Sequence, residues 1–263
     1  MNLFLKFIHF LVLKISKIKL KPIKNLFISY FMKIYQINLS EYARKNINEY
    51  SSFNDFFTRE FAPGSRPIDQ SNESIVSPVD GKIMESGTIQ SGILFQLKKM
   101  EYSLYELLNN NLDLHRRFKN GFYTTIYLAP SNYHRVHMPY RGILINNELV
   151  KGKTYKVNEQ SLRKVSGLYA KNTRQISYFE NQNSCFCMIM IGAMNVSSIS
   201  LTNKSAKKYP DHTYQYQKGD EFSRFNLGST VLILFPQSSN IEWSDKIKFG
   251  QTIKLGECIA KFI

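Results

Sequence analysis

Apolar and polar positions change their texture along this chain between residues 60 and 75. Residues 1–60 read as helical. Ser40-Glu-Tyr-Ala reads as a helix start with an acidic first turn. Ser52-Phe-Asn-Asp55 has capping-box spacing, with Asp in place of the usual Glu, ahead of Phe56-Phe57. Pro63-Gly64-Ser65-Arg66-Pro67 then breaks the helix. From about residue 75, short apolar or alternating runs are separated by Gly, Pro, Asn and Ser. Ile75–Val79, Phe122–Leu128, Gly142–Val150, Cys185–Ile191, Val196–Leu201 and Ser229–Phe235 are predicted strands. Residues 101–118 are predicted to be a helix, and the polar, charged segment 203–224 an exposed loop. The expected architecture is α+β. It combines a mainly antiparallel β body, barrel- or sandwich-like, with N-terminal helices that associate with membranes. The expected division is a helical region, 1–60, and a β-rich domain, 61–263.

Composition refines this picture only in part. The 263 residues suffice for a core without staples, and 43% hydrophobic with 21% charged residues excludes a disordered chain. The cysteines at 185, 187 and 258 are odd in number, and Cys185-Phe-Cys187 reads as the two faces of a strand. This gives no support for a disulfide framework or zinc site and favours a reducing compartment. The tail from Phe249 to Ala260 alternates strands with glycine turns and is similar to a lipoyl-type β-hammerhead. It has no hairpin lysine for biotin or lipoate, so it reads as architecture.

The net charge of +15 is unevenly placed. Residues 1–40 hold seven lysines (6, 14, 17, 19, 21, 24 and 33) and no acid. They are interleaved with Leu, Ile and Phe, which favours an anionic membrane over nucleic acid, and no nucleic-acid-binding motif occurs. The apolar run Phe7–Leu13 is far shorter than the roughly 20 residues a spanning helix needs. Lysines follow it and no small-residue cleavage site appears, so it does not read as a signal peptide. The segment is expected to lie on the membrane, at the cytoplasmic face of the cell membrane, as a peripheral anchor.

Three segments carry candidate chemistry. Ser77-Pro-Val-Asp80-Gly81 alone reads as a turn. Tyr133-His134-Arg135-Val136-His137-Met138-Pro139 holds two histidines three apart. That spacing puts both on one face of a helix but on opposite faces of a strand; Pro130 and Pro139 exclude a long helix, so a turn or bulge near 131–135 would be needed to bring both to one site. A zincin-type site would also need a Glu base and a third ligand, so no metal is expected. Leu227-Gly228-Ser229-Thr230 enters an apolar run. A serine hydroxyl can attack the carbonyl before it, and a preceding glycine permits the bent backbone this needs. A base and an acidic group that holds it would complete the set, and Asp80, His137 and Ser229 supply all three residue types. An ordinary serine hydrolase is the alternative, but the Gly-x-Ser-x-Gly elbow is missing. A non-catalytic membrane-binding β module remains as a third reading.

Together these segments resemble the prokaryotic-type phosphatidylserine decarboxylase proenzymes. The resemblance runs over about residues 50–263. It is carried by Phe53-Asn-Asp-Phe-Phe-Thr-Arg59 with Pro63-Gly-Ser-Arg-Pro-Ile-Asp69, by Ser77–Gly81, by Tyr133–Pro139 and by Phe225-Asn-Leu-Gly-Ser-Thr230. It implies decarboxylation of phosphatidylserine to phosphatidylethanolamine and CO2, after self-cleavage between Gly228 and Ser229. Asp80, His137 and Ser229 would form the cleavage triad. Ser229 would become a covalent pyruvoyl cofactor that forms a Schiff base with the substrate amine. His134 would assist decarboxylation or protonation. The β chain (1–228) and α chain (229–263) would stay together as a heterodimer, with a higher oligomer open. Two departures stand out: Glu221-Phe-Ser-Arg-Phe where relatives often have Met-Gly-Arg-Phe, and Tyr140-Arg141 after the histidines. Neither removes a reacting group.

Overall fold

The computed structural model describes residues 16–97, 100–181, 184–192, 199–210, 213–226 and 229–263. The first part of the expected membrane segment, residues 1–15, therefore lies outside the described residues, as does Gly228. The strands are β1 (Ser74–Val76), β2 (Gly81–Thr88), β3 (Ile93–Phe95), β4 (Glu101–Ser103), β5 (Phe122–Leu128) and β6 (Arg135–His137). They continue with β7 (Gly142–Val150), β8 (Arg174–Glu180), β9 (Cys185–Gly192), β10 (Ile199–Leu201), β11 (Lys207–Lys208) and β12 (Tyr214–Tyr216). The last are β13 (Glu221–Phe225), β14 (Ser229–Phe235), β15 (Ile241–Trp243), β16 (Thr252–Ile253) and β17 (Cys258–Phe262).

Nine strands form one open sheet in the order β11-β12-β7-β8-β9-β14-β5-β2-β16, with every pair antiparallel. The α+β class holds, but the sheet ends in β11 and β16 and does not close into a barrel. Smaller sheets, β1-β17-β15 and β10-β13-β6, share one apolar core with one face of the large sheet. The apolar run of β14 is explained by burial on both faces. Leu232 and Leu234 enter one core with Leu104, Leu107 and Phe118, whereas Val231, Ile233 and Phe235 enter another with Val136, Phe222 and Ile259. The same period of two puts Cys185 and Cys187 in the first core and Phe186 in the second. All three cysteines are free thiols.

Several expectations are corrected. Ser40 does not start a helix: Tyr42 makes a β-bridge with Phe61, and its buried ring stacks on Phe61 at 4.9 Å. That packing outweighs local helical preference. The helix expected over 101–118 is β4 followed by two short helices, Leu104–Leu107 and Leu112–Phe118. They are divided by Asn109 and Asn110, which have left-handed φ of 55° and 59°. The loop expected over 203–224 contains β11, β12 and most of β13, because Tyr216 and Phe222 are buried and Tyr216 pairs opposite Gly142. Ser52 caps the Phe53–Phe57 helix as expected, accepting from the Asp55 amide at 3.2 Å.

The Lys21–Tyr35 helix packs Ile28 against the third apolar cluster, beside Tyr50 and Phe56. Its outer face leaves Ile23, Leu26, Phe27, Tyr30 and Ile34 exposed. Lys24 instead turns inward and donates to the Ile47 carbonyl at 3.0 Å. No helix among the described residues is long and apolar enough to cross a membrane.

Candidate active site

The site grows from the connection between β5 and β6. The Asn132 amide donates to the Ala129 carbonyl at 2.9 Å, and its side-chain oxygen accepts from the Ala129 amide at 2.7 Å. This closes a tight turn at Pro130–Asn132, the feature expected near 131–135. Arg59 holds the turn from the other side. Its Nη2 donates to the Ser131 carbonyl at 2.6 Å and to the Asn132 carbonyl at 3.3 Å. Its guanidinium lies 4.4 Å from the Tyr42 ring and 5.1 Å from Phe56. These rings offset part of the cost of burying this charge.

His134 follows the turn and is wholly buried. Its Nδ1 lies 2.8 Å from the Asn132 carbonyl, an acceptor, so Nδ1 carries the hydrogen. Its Nε2 is then a lone pair, with no hydrogen-bond partner among the described residues. The ring lies 4.0 Å from Phe57. Burial, with the Arg59 charge adding to it, pushes the His134 pKa down to about 3 against the opposing Asn132 bond. The imidazole is therefore neutral at physiological pH.

His137 lies on β6. Its Nδ1 donates to the Gly219 carbonyl at 2.7 Å, and its Nε2 is 2.9 Å from the Tyr133 hydroxyl. Burial again lowers its pKa, partly offset by the Gly219 bond and by Glu221. Gly219 has φ of +85°, and a Cβ there would come within 2.9 Å of Ile68, so the residue type is dictated by the turn. The two histidines share no hydrogen-bond partner.

Asp80 precedes β2. Its neighbour Gly81 is needed for close approach rather than a turn: a Cβ would lie 2.7 Å from the Tyr127 carbonyl oxygen. Backbone contact joins this segment to the histidines, because the His137 amide donates to the Pro78 carbonyl at 2.9 Å. The Asp80 carboxylate itself accepts from Arg66 Nε at 3.0 Å, from Arg66 Nη2 at 2.7 Å and from the Leu255 amide at 2.8 Å. The direct Asp80–His137 bond implied by the resemblance is thus not among the contacts of either side chain. Arg66 takes the carboxylate, and Gly219 takes the imidazole Nδ1.

Ser229 opens β14, with its backbone paired opposite Leu128 of β5 and Gly192 of β9. Leu128 ends five residues before Tyr133. On the other side of the Gly228-Ser229 segment, the Phe225 amide donates to the His134 carbonyl at 2.8 Å. Asn226 accepts from Asn54 at 3.4 Å, at the head of the Phe53–Phe57 helix. Glu221, one of the departures in sequence, pairs with Arg135 at 2.8 Å. Residue type alone does not mark Arg59 or Tyr133 as part of this arrangement. Arg59 closes the first motif and Tyr133 opens the third, and only the fold shows what each touches.

Similarity to known proteins extends over most of the chain. A family model described as phosphatidylserine decarboxylase matches residues 53–261. The chain is 40% identical over 244 residues to a phosphatidylserine decarboxylase proenzyme of Psychrobacter arcticus, covering 90% of this chain and 88% of that one. Similar proenzymes occur in Shewanella amazonensis, 40% identical with 89% and 87% covered, and Shewanella pealeana, 37% identical with 95% and 92% covered.

Proposed function

The chain belongs to the phosphatidylserine decarboxylase family, and we propose that it cuts itself between Gly228 and Ser229 and then converts phosphatidylserine to phosphatidylethanolamine and CO2. The observation that carries this reading is the family match over residues 53–261, which takes in all four motif segments. The strand pairing supports it, since Ser229 begins β14 beside the end of β5, which leads into the His134–His137 segment.

In the self-cleavage, Ser229 Oγ attacks the Gly228 carbonyl carbon and its proton goes to His137. The Gly228–Ser229 C–N bond breaks, leaving an ester and a free amine on residue 229. Loss of the Ser229 Cα proton and rupture of its Cβ–O bond release the Gly228 carboxylate and leave dehydroalanine. Hydrolysis then expels ammonia and leaves a pyruvoyl group at the head of the 35-residue α chain. Asp80 acts with His137 in this step.

The residues present suit such a group. Ser229 would carry it covalently, at the start of a strand held on both edges by β5 and β9. The buried Nε2 of His134, without a hydrogen-bond partner among the described residues, is an acceptor available to a proton-bearing group. A pyruvoyl carbonyl supplies the electron sink that decarboxylation of an amino acid head group requires. His134 contributes a neutral imidazole that takes or returns a proton at Nε2. The Lys21–Tyr35 helix contributes a lipid-facing surface, its exposed apolar residues inserting at the cytoplasmic face of the membrane while lysines meet anionic head groups. After cleavage, the two chains remain a heterodimer.

The activity is tested with purified protein and phosphatidylserine vesicles labelled in the serine carboxyl. Labelled CO2 should be released by the wild-type protein and not by Ser229→Ala. Release by Ser229→Ala at the wild-type rate would refute the proposal.

A further inference from the structure

Phe57, Thr58, Arg59 and Glu60, consecutive in the chain, each touch the segment that carries His134. The Phe57 and His134 ring centres are 4.0 Å apart. The Thr58 carbonyl accepts from Arg135 Nε at 2.8 Å, and Glu60 pairs with the same guanidinium at 2.8 Å. Arg59 Nη2 donates to the Ser131 carbonyl at 2.6 Å and to the Asn132 carbonyl at 3.3 Å. The Asn132 oxygen also accepts from His134 Nδ1 at 2.8 Å. We infer that Arg59 is a positioning residue for decarboxylation: it orients the carbonyl that fixes His134 in the tautomer with its lone pair on Nε2. This rests on the proton-transfer role proposed for His134 above.

A neutral imidazole carries one hydrogen and one lone pair on its two nitrogens, and the partner of one nitrogen sets the state of the other. His134 Nε2 has no hydrogen-bond partner among the described residues, so no described group selects a tautomer from that side. The selection falls to Nδ1 and a single carbonyl. Bulk water does not replace it, because His134 is wholly buried. With that carbonyl turned away, the hydrogen could reside on Nε2, and the ring would have no lone pair there to take a proton.

The grip suits this task. The Ser131–Asn132 peptide is held at both ends, its oxygen by the charged Arg59 donor and its amide by the Ala129 carbonyl at 2.9 Å. A carbonyl oxygen has two lone pairs, so the Asn132 oxygen serves Arg59 and His134 together. Among the described residues Arg59 pairs with no carboxylate. Its other hydrogen-bond partner is the Tyr42 hydroxyl at 3.1 Å, and its flat face lies on the Tyr42 ring. A lysine here would end one bond short of Nη2 and offer no planar face to that ring.

The test is nitrogen-15 NMR of the full protein labelled in its five histidines, with His134→Gln to assign the His134 signals. A ring nitrogen bearing hydrogen and one bearing a lone pair resonate far apart, so the tautomer is read directly. Wild-type His134 should carry its hydrogen on Nδ1. In Arg59→Lys the hydrogen should shift in part to Nε2, with His137 unmoved. CO2 release should then fall about ten-fold in kcat at unchanged KM, the lower end of what a hydrogen bond from a charged donor is worth. Asn132→Ala keeps both Arg59 and the backbone carbonyl, so its His134 should match the wild type. An Nε2–H tautomer in the wild type, an unmoved His134 in folded Arg59→Lys, or a shifted one in Asn132→Ala would each overturn the assignment. The wild-type and Asn132→Ala spectra decide it should Arg59→Lys not fold. Wild-type CO2 release by His134→Gln would instead overturn the role of His134 on which the assignment rests.

Discussion

Arg66 holds Asp80 through a two-point grip, Nε at 3.0 Å from Oδ1 and Nη2 at 2.7 Å from Oδ2, with both side chains largely buried. The same guanidinium reaches Glu41 at 3.0 Å. Asp80 is therefore held toward the N-terminal segment, and Arg66→Ala would leave its carboxylate with the Leu255 amide alone. In an uncut Ser229→Ala background, Arg66→Ala should cost about 3–5 kcal/mol, the range for breaking one side of a buried pair. Urea unfolding measures this, and a midpoint equal to that of the parent would contradict the role.

His134 provides a pH test whose sign is set by burial. Its folded pKa, about 3, lies below the ordinary histidine value, so between those two values the unfolded chain binds more protons. The contribution of neutral His134 to stability is complete above about pH 6.5 and is lost as pH falls toward 3. The slope is at most about 1.4 kcal/mol per pH unit for this one group. Replacing it in the uncut background, as His134→Gln, should shrink the loss of stability between pH 7 and pH 5. An unchanged loss in urea midpoints would show that the imidazole is not held neutral.

The α chain should stay bound after cleavage. β14 is paired on both edges, and Leu232, Ile233 and Leu234 are all buried. The cut chain should migrate as one particle in native mass spectrometry and separate only in denaturant. Ile233→Ala should lower stability by about 2–5 kcal/mol, the usual cost of truncating a buried aliphatic side chain. Free α chain under native conditions would contradict the proposed heterodimer.

The exposed helix face carries a prediction that costs the fold little. Leu26 is 70% exposed and Tyr30 65%. The double substitution Leu26→Ser and Tyr30→Ser should reduce sedimentation with anionic vesicles roughly ten-fold or more at physiological salt, because each side chain buries apolar surface only in the lipid. Undiminished binding would assign membrane contact elsewhere.

How much of this was legible in the sequence depends on the kind of signal each element carries. β5, β7 and β14 coincide with their predicted bounds, because their apolar runs end in abrupt Gly, Pro or polar breaks. β12 and β13 are hidden because buried Tyr216 and Phe222 are hard to see among Lys, Gln and Asp. Ser40-Glu-Tyr-Ala carried a helix signal that burial of Tyr42 beside Arg59 overrides. At the site, Asp80, His134 and His137 were visible through chemistry and resemblance. Gly219 was not, since it acts through a backbone carbonyl that no residue type advertises. Arg66 lay in plain view in a loop motif, and its grip on Asp80 follows from a fold that sets it beside a residue 14 positions later.

Self-cleavage at Gly228-Ser229 is the claim on which the rest depends, and intact mass measurement of the purified protein tests it most directly. Two chains are expected, residues 1–228 and 229–263, with a pyruvoyl group blocking the N-terminus of the smaller one. A single full-length chain with unmodified Ser229, in protein that decarboxylates phosphatidylserine, would contradict it.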